Sequence, residues 1–273
     1  MSNYRIIEVC NKRDLKRFIR FIDDLYKGCD MYVPPLHKGQ ERDLMHSPSL
    51  EYCTRKMWIV EDEKGKVVGR ICAMINPRYN EKYDKKRVRF GWFDLINDVE
   101  VARLLIGTAE AWAKENGMEE IHGPLFYNTL GRQGMLIEGF DKLPPFSCLY
   151  MMPADQGVDD RMKAIADRLM QRYKLKVADF DRLKKDKETV KKFFRMYNAS
   201  FDGMVHNFIP FTDAEIEEEC RQIMSQLNSK LCCVLMDEDD EVAAFGISTP
   251  CLSRAMQKAK GSLFPFGWYH AFK

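Results

Sequence analysis

Residues 57–76 read MWIVEDEKGKVVGRICAMIN, two apolar, β-branched runs joined across Lys64-Gly65, and this stretch narrows what the chain can fold into more than any other. A lysine-glycine step between such runs closes a tight hairpin, and Pro77 lacks the amide needed to extend the second strand. A third run, VRFGWFDLI at 88–96, passes directly into a helical pattern from Asp98 to Asn116. There Val101, Leu104, Leu105, Thr108, Ala109 and Trp112 share one face, and Gly117 is placed to end the helix. Met118–Leu125 then supplies a fourth strand. A hairpin continued by a strand–helix–strand unit requires a mixed sheet, so the expected class is α/β (α+β mixed sheet) with helices on both faces.

The flanks fit this plan. Tyr4–Val9 alternates like a strand, and Lys12–Lys27 gathers Leu15, Phe18, Ile19, Ile22 and Leu25 on one helical face behind Asn11, a good N-cap. Val33-Pro34-Pro35-Leu36 interrupts, and a short helix is predicted over Lys38–Met45. Further along, CLYMM at 148–152 reads as a strand, Asp159–Tyr173 as a helix with Met162, Ile165, Ala166, Leu169 and Met170 inward, and Leu175–Leu183 as another strand.

From Lys187 the plan begins again. Thr189–Phe201 is a helical pattern, and Thr212 with Glu215 forms a capping box opening a helix to about Leu227. CCVLMDEDDEVAAFGIST, closed by Pro250, repeats the strand, charged turn, strand and proline of 57–77 at a distance of roughly 175 residues. Two domains are therefore expected, 1–183 and 184–273, the second a partial copy. Its last segment, GSLFPFGW, reads as a core strand short of partners in preference to an exposed patch.

With 43 basic and 41 acidic residues the formal charge is only +2, which gives no reason to expect a nucleic acid or an anionic membrane as partner. No apolar run approaches the ~20 residues of a transmembrane helix, and no secretion signal is evident. Nine cysteines without CxxC spacing suit a reducing, cytoplasmic setting. The five histidines never fall at the spacing of a helical zinc site, so no metal is expected.

The segment Ile121–Asp141, IHGPLFYNTLGRQGMLIEGFD, follows a strand signal yet holds glycines at 123, 131, 134 and 139. Such backbone takes unusual conformations or approaches another group closely, which marks a shaped loop. Together with RDLKRFIRFIDDLYKGCDMYVPPL, VVGRICAMIN and GSLFPFGWYHAFK, it resembles a bacterial tandem group within the GCN5-related N-acetyltransferase (GNAT) superfamily. The most specific parts are VPPL, the Gly-Pro strand end with GMLIEGFD, and LFPFGW, and the likeness runs over almost the whole chain.

That resemblance implies an acyl-CoA N-acyltransferase fold, one complete copy followed by a partial second. It implies transfer of an acyl group from acetyl-CoA or another acyl-CoA to the amine of a small molecule or lipid. It also implies that the coenzyme pyrophosphate lies on a Q/R-x-x-G-x-G/A turn, where bare amides and a helix dipole meet its charge. The matching junction, Leu95–Glu100, has neither glycine nor cation, and Asn97 or Asp98 is expected to cap the helix instead. The counterpart loop of the second copy would follow its third strand, which Lys273 reaches or just precedes.

The residues implied for chemistry are Tyr127 and Asn128 for polar contact with substrate, Arg132 for an anion, and Gly123 and Gly134 for close approach. Glu138 or Asp94 would act as base and Tyr150 as proton donor to the thiolate. The alternative is a non-catalytic module that holds a ligand or a partner chain, for which formation of a homodimer would be the mark.

Overall fold

The computed structural model describes residues 4–128, 159–183, 185–202, 208–223, 227–248, 251–265 and 267–272. By contacts the chain divides into two compact units, Met1–Pro144 with Cys251–Lys273, and Pro145–Pro250. This division differs from the 183/184 boundary expected from the sequence.

In the first unit β1 (Arg5–Glu8) leads to α1 (Lys12–Leu25) and α2 (His37–His46). The hairpin β2 (Thr54–Glu61) and β3 (Val67–Ile75) follows, then α3 (Pro77–Tyr83), β4 (Arg87–Leu95), α4 (Val99–Glu115) and β5 (Glu120–His122). The sheet order is β1-β2-β3-β4-β5, antiparallel through β4 and parallel where β5 returns after the α4 crossover.

Strand alternation sorts the core into two layers. Met57 and Ile59 face α1 and α2, meeting Leu15, Phe18, Ile19 and Leu44. Trp58 and Val60 face α4, meeting Val101, Leu105, Ala109 and Trp112. α1 forms where expected because its apolar residues recur every three or four positions and the Asn11 side chain accepts the Asp14 amide at 2.9 Å. α3 was not anticipated. Asn76 caps it by accepting from the Tyr79 amide, and Pro77 opens its first turn where a missing N–H costs nothing.

The second unit carries α5 (Asp160–Arg172), β6 (Lys176–Val177), α6 (Phe180–Leu183), α7 (Lys187–Phe201), α8 (Asp213–Ile223) and the hairpin β7 (Cys232–Met236) with β8 (Val242–Ile247). The capping box is present: Thr212 Oγ1 accepts the Glu215 amide, and Glu215 accepts the Thr212 amide at 2.8 Å. α9 (Ser253–Ala259) and α10 (Gly267–Phe272) belong to the first unit.

The two hairpins match in detail. Asp62 accepts the amides of Lys64 and Lys66, and Asp237, 175 positions on, accepts those of Asp239 and Glu241. Gly65 and Asp240 both take positive φ, and a register shift falls at Val60/Glu61 and again at Leu235/Met236. The same interval separates the helix caps Asn11 and Asp186 and the starts of β3 and β8. The tripeptide Phe90-Gly91-Trp92 of β4 recurs as Phe266-Gly267-Trp268, one position further out of step.

Three expectations are corrected. Leu175–Leu183 is mostly not a strand: β6 spans only Lys176–Val177, and Asp179 caps a turn of helix by accepting the Asp181 and Arg182 amides. α5 forms, but Met162, Ile165 and Leu169 are exposed, because periodicity identifies an apolar side without saying what covers it. The GSLFPFGW segment is not a core strand. Phe264 is 80% exposed, Trp268 and Tyr269 are exposed, and the chain turns at Gly261 and Pro265 into α10. The expected strand at 148–152 lies outside the described residues.

Candidate functional site

The resemblance places the coenzyme pyrophosphate where β4 ends and α4 begins. Here Asp98 is the N-cap of α4, and its carboxylate accepts the Glu100 amide at 2.8 Å. The Tyr4 hydroxyl on the approach to β1 donates to its other oxygen at 2.7 Å. These bonds, the Tyr4 one foremost, hold the Asp98 carboxyl below the usual range, so it stays anionic. The amides that would meet a pyrophosphate are thus already engaged by a fixed negative charge, with Glu100 beside it. Coenzyme A does not fit this junction.

The neighbouring strands are also closed. Beyond β5 the Leu125 amide donates to the Phe90 carbonyl at 2.6 Å, and the Phe126 ring stacks on Trp92 with centroids 3.7 Å apart. Trp92 sits at the β4 bulge with φ 46°, which turns its ring into this contact. A Cβ at Gly91 would collide with the Leu125 carbonyl, and one at Gly123 with the Phe90 carbonyl. Gly123, expected to allow close approach, lies against the Phe90 carbonyl of β4. These two contacts hold the described part of the segment after β5 against β4 as far as Trp92.

On the α1–α2 face of β3 and β4 lies a buried polar cluster. Arg70, 3% exposed, gives Nε and Nη2 to one oxygen of Asp94 at 2.9 and 2.7 Å. Its Nη1 donates to the Phe18 carbonyl and to Gln40 Oε1, and the guanidinium lies over the Phe18 ring. The Tyr26 hydroxyl donates to the second Asp94 oxygen at 3.1 Å, and Tyr26 stacks on Tyr32. Burial, then the Asp94 charge, pushes the Tyr26 phenol well above its ordinary range, keeping it a donor. Gln40 Nε2 is buried without a hydrogen-bond partner among the described residues.

The second copy does without this cluster. Ile59 pairs with Arg70 as Val234 pairs with Phe245, and the positions matching Tyr26 and Gln40 are Phe201 and Glu215. Phe245 packs on Phe193 with ring centroids 4.1 Å apart, and Glu215 serves the capping box. The repeated scaffold therefore folds with an aromatic side chain where the first copy buries a guanidinium.

Of the residues singled out from the sequence, Asp94 joins this cluster, its two oxygens meeting three donors; to take a proton it must release one. Tyr127 is buried in the core beside Trp92, and its hydroxyl has no partner among the described residues. Asn128 is half-buried at the end of the same segment. Arg132, Gly134, Glu138 and Tyr150 lie outside the described residues. Arg70, Tyr26 and Gln40 were missed, although an arginine inside the apolar run KVVGRICAMIN was a legible sign of a buried ion pair. Among the described residues no cluster of His, Cys, Asp and Glu is set to hold a metal, and no helix is long and apolar enough to cross a membrane.

The strand order, the bulged β4 and the parallel return through α4 are the arrangement that the resemblance to the GNAT superfamily implies for the first unit. No family model matches the chain. It is 28% identical over 286 aligned positions to Protein YghO of Escherichia coli (strain K12), covering 94% of this chain and 71% of that protein. Among solved structures, a tandem GNAT protein from the clavulanic acid biosynthesis pathway gives a TM-score of 0.44 at 10% identity, covering 91% of this chain and 76% of that one. A putative acetyl transferase from Pyrococcus furiosus gives 0.33 at 16% identity, covering 44% and 80%.

Proposed function

We propose that this is a tandem acyltransferase-fold protein whose first copy does not take acyl-CoA and works instead as a ligand-holding module. The observation that carries this reading is the Asp98 carboxylate, which occupies the α4 amides that a pyrophosphate would need. The closed contact of Phe126 on Trp92 supports it from the pantetheine side. The module's polar groups are those of the Arg70–Asp94–Tyr26 cluster, half-open at Asp94 and absent from the second copy. Transfer from acetyl-CoA or acyl-CoA to a small-molecule or lipid amine, as the resemblance implies, would then need a coenzyme site other than the α4 junction.

Thermal melting with coenzyme A and acetyl-CoA tests the proposal directly. The melting temperature is expected to stay unchanged up to about millimolar ligand, since a micromolar site would add roughly 4 kcal/mol at that concentration. A clear upward shift, abolished by substitutions around Asp98, would overturn it.

A further inference from the structure

We propose that the row formed by Arg55, Met74 and Arg89, on the α1–α2 face of the first sheet, is the floor of a binding site for the phosphate group of a small molecule. The register sets Arg55 opposite Met74 and Met74 opposite Arg89, so the three side chains leave neighbouring strands on one face. Met74 packs in the layer of Met57, Ile59 and Tyr127, which fixes that face as the α1–α2 side. The two arginine Cα atoms stand roughly 10 Å apart, two strand spacings, with an apolar residue between them. Asn76, still in extended backbone, follows on the same side of the chain, since alternate residues share a face.

The unpaired groups of this region point to a ligand. Arg55 Nε, Asn76 Nδ2 and the Tyr127 hydroxyl are buried without a hydrogen-bond partner among the described residues. All three can donate. Asn76 spends its oxygen on the Tyr79 amide, and burial pushes the Tyr127 phenol far up, which keeps its proton in place. Arg55 reaches Met45 Sδ at 3.1 Å and makes no ion pair among the described residues. Its charge acts on the buried Tyr127 phenol and Cys72 thiol, so the guanidinium lies near both. Unpaired buried donors are costly, and several along one end of a sheet call for an acceptor.

Charge and shape select phosphate. Arg89, 3% exposed, donates to the Tyr127 carbonyl at 3.3 Å and lies 4.2 Å over the Tyr79 ring. Arg78, in the first turn of α3, lies 5.0 Å over Tyr52, which packs against the same layer. A guanidinium held by its face carries its N–H groups in its own plane, in the fork that oxyanions fit. Three such cations with an amide and a phenol offer more donors than the two oxygens of a carboxylate accommodate, and a phosphate answers more of their charge. Asp43 is the carboxylate that acts on the phenol, and Arg42 lies beside it at 4.0 Å. Arg55 and Arg78 are half-buried, so the row opens to solvent at that border. It lies four positions along β3 from Arg70, and the site stands whether or not α4 accepts a coenzyme.

The test is calorimetric titration of the full-length protein with sodium phosphate, set against sodium chloride and sodium acetate at equal ionic strength. Phosphate should bind saturably and raise the melting temperature, and the other two salts should do neither. Arg55→Gln should weaken phosphate binding about tenfold or more, and Tyr127→Phe should weaken it severalfold. Among the described residues Arg55→Gln gives up only the Met45 contact, so circular dichroism and the melting temperature without phosphate should not change. Arg103→Gln, exposed on α4 across the sheet, should bind phosphate as the wild type does. Absence of saturable binding, an equal response to acetate or chloride, unaltered affinity in Arg55→Gln or Tyr127→Phe, or loss of binding in Arg103→Gln would overturn the proposal.

Discussion

The Tyr4 hydroxyl reaches across 94 positions of sequence to donate to the Asp98 carboxylate at 2.7 Å, tying the chain's first strand to the N-terminus of α4. Because that bond and the Glu100 amide hold the Asp98 carboxyl below its ordinary range, the contribution is present above the unfolded value near pH 4 and is lost as pH falls through the lower folded value. Asp98→Asn should therefore lower the melting temperature at neutral pH, and the gap to wild type should close in acid. A constant gap from pH 7 to pH 3 would show that charge plays no part.

Breaking the pair beneath the candidate site should be costly. Asp94→Ala leaves the Arg70 guanidinium buried without its carboxylate, an expected loss of about 3–5 kcal/mol in urea unfolding. Adding Arg70→Met should recover much of that loss, since the second copy shows the scaffold accepting an apolar residue there. No recovery in the double variant would mean that the guanidinium's contacts with Phe18 and Gln40 carry the stability instead.

Tyr127→Phe removes a buried hydroxyl that has no partner among the described residues, and should be neutral or stabilising by about 1 kcal/mol. Burial also pushes this phenol far up, so the native state keeps a proton that the unfolded chain loses above about pH 10. Wild-type stability should fall in strong alkali for this reason, and the variant should lose that part of the fall.

The closeness of β4 to the segment after β5 predicts an asymmetry among glycines. Gly91→Ala and Gly123→Ala each drive a Cβ into a backbone carbonyl that cannot rotate away, at about 1–3 kcal/mol. Gly107→Ala, in α4 with open space around it, should instead stabilise by up to about 1 kcal/mol. Denaturant midpoints for the three variants separate the two cases.

What could be read in advance was local. The Asn11 and Thr212 caps, the Lys64-Gly65 hairpin and the capped Asp98 junction each depend on residues a few positions apart, and their chemistry is written in order along the chain. α3 was legible too, in Asn76-Pro77, but the proline was read as the end of a strand instead of the start of a helix. The polar cluster was not legible as a whole, because Tyr26, Gln40, Arg70 and Asp94 meet only when α1, α2, β3 and β4 pack. Apolar runs mislead for the same reason: Ile165 and Phe264 are hydrophobic enough for a core, but burial depends on a neighbour that their own sequence does not specify.

The stride is 175 both between Asn11 and Asp186 and between Val67 and Val242, so the stretches they bound are equal in length. A phenylalanine in one half and an arginine in the other, at Phe245 and Arg70, can thus be swapped as a natural experiment, each half serving as the other's reference state.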